Sequence, residues 1–165
     1  MVTKLDKTAE NVVQLLKARG LTAATAESCT GGLISAEITS VSGSSDVFGY
    51  GVCTYANEAK MKLLGVKAET LSTVGAVSEE TAVQMAEGVR KLSGADIAVS
   101  VTGIAGPTGG TPDKPVGTVC FGISTADGAR TKTERFGEAG GRNAVRTLTV
   151  AAALGMIEDE IKNRG

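Results

Sequence analysis

The sequence predicts a single α/β domain, a three-layer α/β/α sandwich around a mixed β-sheet. Three observations carry this expectation. Segments with helical periodicity alternate with short apolar strand-like runs, a hairpin pattern comes late, and a long amphipathic segment closes the chain. Alternating helices and strands call for parallel pairing with helices on the sheet faces, and a late hairpin adds antiparallel strands to it. At 165 residues, the chain (1–165) has the length of one domain and no linker or repeat divides it.

The elements follow in order. Residues 3–19 read as an amphipathic helix with Leu5, Val12, Val13, Leu15 and Leu16 on its apolar face and Gly20 as its stop. Residues 21–26 are small and Thr/Ala-rich, a short strand. Gly31 to about Val41 reads as a helix with Leu33, Ile34 and Ile38 on one side, closed by the loop Ser42-Gly43-Ser44-Ser45. Phe48 to Tyr55 is rich in strand formers. Asn57 is placed to N-cap a helix that runs through Lys60 and Leu64 to Gly65. Ser78 is placed to cap Glu79–Leu92, with Ala82, Met85, Ala86 and Val89 inward and Gly94 at its end. Asp96–Val101 is the most apolar strand. After a turn-rich loop over 108–115, Val116–Ser124 and Ala129–Phe136 form a hairpin around Asp127-Gly128. Gly140-Gly141 lead into a last helix, about 142–163, with Val145, Leu148, Ala152, Met156 and Ile161 on its inner face.

Composition narrows the function. A net charge of −1 gives no electrostatic footprint for nucleic acid or an anionic membrane. Aromatic residues are confined to Phe48, Tyr50, Tyr55, Phe121 and Phe136, too few for base-stacking platforms. Cys29, Cys53 and Cys120 are widely spaced without CxxC, which argues against a disulfide framework or zinc knuckle and suits a reducing cytoplasm. Met1 to Asn11 is polar and mixed in charge, unlike a signal peptide, and no apolar run reaches the ~18 residues of a membrane span. The chain contains no histidine, so a metal site is not expected and any proton transfer falls to a lysine, carboxylate or tyrosine.

Four segments could carry chemistry. Ala26-Glu27-Ser28-Cys29-Thr30-Gly31-Gly32 places a hydroxyl on a strand-to-helix turn, where the unpaired amides of Thr30, Gly31 and Gly32 could hold an oxyanion. On its own this segment reads first as a helix cap. Cys29 beside it, lacking a histidine partner, reads as structural. Thr54-Tyr55-Ala56-Asn57-Glu58-Ala59-Lys60 places Lys60 one turn into a helix after a strand end, within reach of the site that open α/β sheets build there. Taken alone, Lys60 reads as a solvated helix lysine; as a base it needs a pKa lowered from ~10.4 toward neutrality. Thr102 to Gly110 is a glycine-rich loop after the apolar strand, equally a plain turn or a cradle for a phosphate or carbonyl. It matches neither a Walker loop nor GxGxxG. Arg142, after Gly140-Gly141 at a helix start, is placed either for an anion or for solvent.

Together with Gly75-Ala76-Val77-Ser78, Gly103-Ile104-Ala105-Gly106-Pro107 and Lys114-Pro115-Val116-Gly117-Thr118-Val119, these segments resemble, in order and over nearly the whole chain, the CinA C-terminal domain family. The resemblance is to its stand-alone form, the nicotinamide-nucleotide amidohydrolases; two-domain members carry an extra N-terminal domain resembling molybdopterin-binding proteins. It implies deamidation of nicotinamide mononucleotide to nicotinate mononucleotide and ammonia in pyridine-nucleotide recycling, without a cofactor. It implies Ser28 as nucleophile, Lys60 as general base and Tyr55 as proton relay or orienter. It further implies Thr102, Gly103, Ile104 and Ala105 around the nucleotide, with Arg142 near its phosphate. A homo-oligomer is expected, because glycine-lined pockets are often completed by a neighbouring subunit. Two alternatives stand beside this reading. One is a non-catalytic nucleotide- or partner-binding module linked to competence or damage responses, which needs Thr102–Ala105 and Arg142 but not Ser28 with Lys60. The other is an amidase for a different small amide.

Overall fold

The computed structural model describes residues 4–138 and 140–164. Residue 3 of the predicted first helix and the side chain of Leu5 lie outside the described residues. The described residues form α1 (Lys4–Arg19), β1 (Ala23–Glu27), α2 (Leu33–Thr39), β2 (Phe48–Cys53), α3 (Asn57–Leu64), α4 (Ala68–Thr73), α5 (Glu79–Ser93), β3 (Ile97–Gly103), β4 (Thr118–Thr125), β5 (Gly128–Arg135) and α6 (Arg142–Asn163). The five strands form one mixed sheet in the order β2-β1-β3-β4-β5. β1 pairs in parallel with both β2 and β3, whereas β3-β4 and β4-β5 are antiparallel.

Strand parity sorts the core into two layers, as a period of two requires. Ile97, Val99 and Val101 of β3 and Val119, Phe121 and Ile123 of β4 pack with Val12, Leu16, Ile34, Leu154 and Ile157 of α1, α2 and α6. On the opposite face, Ala24 and Ala26 of β1 and Ala98 of β3 pack with Leu64, Met85 and Val89 of α3 and α5. The predicted sandwich and its mixed sheet are therefore the observed fold.

Several boundaries move. β1 begins two residues later than read and ends on Glu27, β2 stops at Cys53, and β3 runs on to Gly103. α4 has no counterpart in the sequence reading, since none of its residues is fully buried and a single half-buried leucine, Leu71, makes no periodic stripe to detect. Asn57 is the first helical residue of α3, and the cap position falls to Ala56. Ser78 caps α5 as expected, accepting from the Thr81 amide at 3.1 Å. Leu148 is 41% exposed rather than inward. The buried stripe of α6 advances in steps of four through Val145, Thr149, Ala153, Ile157 and Ile161, and Leu148 falls beside it.

Two glycines set how closely the α5 layer approaches. A Cβ on Gly122 of β4 would lie 2.4 Å from the Ala82 carbonyl oxygen, and one on Gly88 of α5 would lie 2.0 Å from that of Leu64 at the end of α3. In an unconstrained helix, Gly→Ala is stabilising by ~1 kcal/mol. Here the close approach reverses the sign: Gly88→Ala should destabilise the fold by about 1–3 kcal/mol through overpacking, read as a lower urea midpoint at unchanged slope.

Candidate active site

The site forms outside the carboxyl ends of the three parallel strands, where open α/β sheets place their ligands. Backbone pairing fixes its frame. The Ser28 amide donates to the Val101 carbonyl of β3 at 3.0 Å, and the Thr54 amide donates to the Glu27 carbonyl of β1 at 2.8 Å. The residues just past β1 and β2 are thus held side by side. Beyond Thr54 the chain turns into α3, which carries Lys60 back over the strand ends.

Glu27 decides what Ser28 is free to do. Its side chain is fully buried. Oε1 accepts from the Ser35 amide (2.8 Å) and hydroxyl (2.7 Å), and Oε2 accepts from the Thr30 hydroxyl (2.6 Å) and the Gly32 and Ile34 amides (3.0 Å each). A carboxylate on the first amides of a helix compensates both the unpaired donors and the positive end of the dipole. Gly32, at φ 101°, occupies the cap position and brings no side-chain bond of its own. Ser28 is therefore not the cap of α2.

The Ser28 hydroxyl is instead 3.0 Å from Lys60 Nζ, which donates further to the carbonyls of Thr54 (2.8 Å) and Tyr55 (3.2 Å). Lys60 is 1% exposed, and among the described residues no carboxylate forms an ion pair with it. Burial without a counter-ion pushes its pKa below the ordinary lysine value. Three oxygens thus surround Nζ, the carbonyls of Thr54 and Tyr55 and the Ser28 hydroxyl. An amine that has lost its proton keeps N–H groups for the two carbonyls and a lone pair for the serine hydroxyl. Cys29, also buried, is driven the other way: desolvation raises its thiol pKa to about 12, which keeps it protonated and a poor nucleophile.

Several expected positions change. The amides of Gly31 and Gly32 are not open to an oxyanion, because Gly31 donates to the Ser28 carbonyl at 3.1 Å and Gly32 to Glu27. The amides of Cys29 and Thr30 donate to no backbone carbonyl among the described residues, and the Cys29 amide meets only its own thiol. Of these two residues, Cys29 lines the cavity beside Ser28. The Tyr55 phenol, expected as a relay or orienter, hydrogen-bonds neither Lys60 nor Ser28. It is 61% exposed and accepts from Arg142 Nη2 at 3.0 Å, and Tyr55 meets Lys60 only through its carbonyl. Arg142 also donates to the Gly106 carbonyl at 2.9 Å.

A cavity of about 180 Å³ opens beside the pair, bordered by Tyr55, Thr102, Gly103, Ala105 and Arg142. Ile104 is not among its walls; its amide and carbonyl are tied to Thr118 and Gly117. A second cavity of about 300 Å³ adjoins through Ala105 and Arg142 and is walled by Pro107, Val116 and Gly141. A larger groove of about 620 Å³ between α3 and α5 contains neither Ser28 nor Lys60. Asn57, Ala76 and Val77 also border the site. Sequence reading missed all three as site residues: Asn57 reads only as a cap, and the place of Ala76 and Val77 depends on how α5 docks on the sheet. It also missed Arg146, which donates to the Cys29 and Thr30 carbonyls; its only sequence signal is its position one helical turn after Arg142.

Fold and site together define an α/β domain with a buried serine–lysine pair at its strand ends. The chain belongs to the CinA C-terminal domain family, which it matches over residues 5–161. It is 53% identical over 148 residues to a CinA-like protein of Kosmotoga olearia, covering 90% of this chain and 35% of that one. A CinA-like protein of Geobacter sulfurreducens is 51% identical over 155 residues, covering 93% of this chain and 37% of that one. The chain thus spans about a third of the length of these curated relatives. Among solved structures, the competence/damage inducible protein CihA from Agrobacterium tumefaciens superposes with a TM-score of 0.91 at 45% identity, covering 94% of each chain. The competence damage-inducible protein A from Klebsiella pneumoniae superposes at 0.93 with 36% identity, covering 99% of this chain and 100% of that one. No helix among the described residues is long and apolar enough to cross a membrane.

A lysine neutral in the fold and protonated when unfolded gives the unfolded state the extra proton. Stability then rises with pH between the lowered folded pKa and the unfolded value of ~10.4. Wild type should therefore gain stability relative to Lys60→Met as the pH rises toward the unfolded value of ~10.4, measured as the difference in urea unfolding free energy. A constant difference would show that Lys60 is charged in the fold. Glu27→Gln replaces one accepting oxygen by a donor facing amides and hydroxyls, and should cost about 2–4 kcal/mol in the same assay.

Proposed function

We propose that the protein is an amidohydrolase that converts nicotinamide mononucleotide to nicotinate mononucleotide and ammonia through an acyl-serine intermediate. The observation that carries this reading is the buried Lys60 amine, held by two carbonyls 3.0 Å from the Ser28 hydroxyl and paired with no carboxylate among the described residues. A binding module has no use for such a pair, whose burial costs stability at neutral pH. The competence and damage wording attached to the relatives describes those proteins.

In this mechanism Ser28 Oγ attacks the carboxamide carbon while its proton passes to Lys60 Nζ. The negative oxygen of the tetrahedral intermediate is met by the Cys29 amide, a preorganised donor of the kind typically worth ~3–4 kcal/mol. Lys60 returns the proton to the departing nitrogen and ammonia leaves. Water then attacks the acyl-serine, giving its proton to Lys60, and the carboxylic product and free Ser28 are restored. The serine–lysine pair is a known variant of the triad logic, so the absence of histidine is no obstacle. The positive pyridinium ring of the substrate, seated near Lys60, would further oppose its protonation. Arg142, with Tyr55 steadying its guanidinium, stands between the two adjoining cavities, where the nucleotide phosphate would be recognised. The residues Thr102, Gly103 and Ala105 supply the wall against which the ring lies.

Ammonia release should be assayed across nicotinamide mononucleotide, nicotinamide riboside, nicotinamide and glutamine. The mononucleotide should be preferred, and Arg142→Ala should raise its KM about tenfold or more while leaving turnover of the riboside nearly unchanged. Ser28→Ala should abolish turnover with the fold intact; retained activity would remove Ser28 as nucleophile. The rate should rise with pH as Lys60 loses its proton, with a midpoint below the ordinary lysine value of ~10.4. Lys60→Arg, which stays charged at any accessible pH, should be inactive throughout.

A further inference from the structure

Arg146 of α6 takes no part in the steps above, yet its guanidinium lies directly against the nucleophile turn. Nε donates to the Cys29 carbonyl at 3.2 Å, Nη2 to the Thr30 carbonyl at 3.0 Å and Nη1 to Asn143 Oδ1 at 3.3 Å. A planar fork can hold two neighbouring carbonyls at once, and charge-assisted bonds of this kind are stronger than neutral ones. The turn it grips contains Gly31 at φ 61° and Gly32 at φ 101°, so it has little intrinsic stiffness. The stripe Val145, Thr149, Val150 and Ala153 anchors α6 independently of the half-buried arginine.

We propose that Arg146 is a positioning residue that aims the Cys29 amide at the oxyanion, an inference that rests on the serine–lysine reading above. In a trans peptide the C=O and N–H point in opposite directions. Holding the Thr30 carbonyl therefore turns the Gly31 amide the other way, onto the Ser28 carbonyl at 3.1 Å. Holding the Ser28 carbonyl in turn sets the direction of the Cys29 amide, which belongs to the same peptide and to a residue that lines the cavity. On the other side of the turn, Glu27 pins the Gly32, Ile34 and Ser35 amides. The nucleophile turn is thus fixed between a guanidinium that takes its carbonyls and a carboxylate that takes its amides. Lys60 is held by Thr54 and Tyr55 and does not depend on either.

The test is a kcat-against-KM comparison on the full chain. Arg146→Met should lower kcat for nicotinamide mononucleotide about 100-fold, the effect of losing or misplacing one oxyanion donor. KM should stay within about twofold, and the pH midpoint set by Lys60 should not move. Arg146→Lys should show a similar loss, because an ammonium cannot span both carbonyls. Guanidinium ion should restore several-fold of the activity of Arg146→Ala. A parallel arm measures the rate at which phenylmethanesulfonyl fluoride modifies Ser28, followed by intact mass: Ser28 Oγ displaces fluoride and its proton passes to Lys60. If wild type releases no ammonia but Arg146→Met still slows this labelling, the deamidase reading fails and the positioning role stands. Turnover and labelling within about threefold of wild type in Arg146→Met overturn the positioning role. Should Arg146→Met not fold, wild-type rates in Arg146→Lys overturn it and a similar loss there supports it.

Discussion

The site depends on one buried carboxylate. Glu27 ends β1 facing the α2 side of the sheet, and its two oxygens accept five hydrogen bonds from the turn and first residues of α2. A helix that begins in the protein interior must satisfy its first amides somewhere. If Ser28 met that demand, its hydroxyl would be spent on backbone. Because Glu27 meets it from the preceding position, Ser28 is left facing the other way, toward Lys60.

The second constraint is the solvation of Lys60. An ammonium buried without a counter-ion is costly, and the structure offers it two carbonyls and a hydroxyl but no carboxylate. That set brings no negative charge to hold the proton, so burial favours the neutral amine. Acid–base readiness and stability are therefore opposed at this residue: the environment that makes Lys60 a base also makes the fold depend on pH. The close approach at Gly88 belongs to the same arrangement, since it seats α3, and with it Lys60, against α5.

The sheet order brings the parts together. β1 lies between β2 and β3, all three parallel, so their carboxyl ends deliver Ser28, Thr54 and Thr102 to one crevice. α6, arriving from the other end of the chain, closes the crevice with Arg142 on the Tyr55 phenol and Arg146 on the nucleophile turn. Two arginines one helical turn apart thus serve different ends, one facing the cavity and one bracing the backbone behind it.

By itself, the sequence determined the layers and most of the elements, because helical and strand periodicities, Ser78 as a cap and Gly65 and Gly94 as stops are local signals with local causes. It also marked Ser28 and Lys60 as chemically apt residues and, through the family resemblance, paired them. It did not reveal α4, none of whose residues is fully buried, or the exposure of Leu148, which falls beside the buried stripe of α6. Nor did it reveal that the Gly31 and Gly32 amides are already spoken for, that the Tyr55 phenol serves Arg142, or that Arg146 grips the turn. Those are decisions of tertiary structure. Whether an amide is free, a lysine neutral or a hydroxyl available depends on which distant group fills the neighbouring space, and that is settled only when β1, α3 and α6 converge.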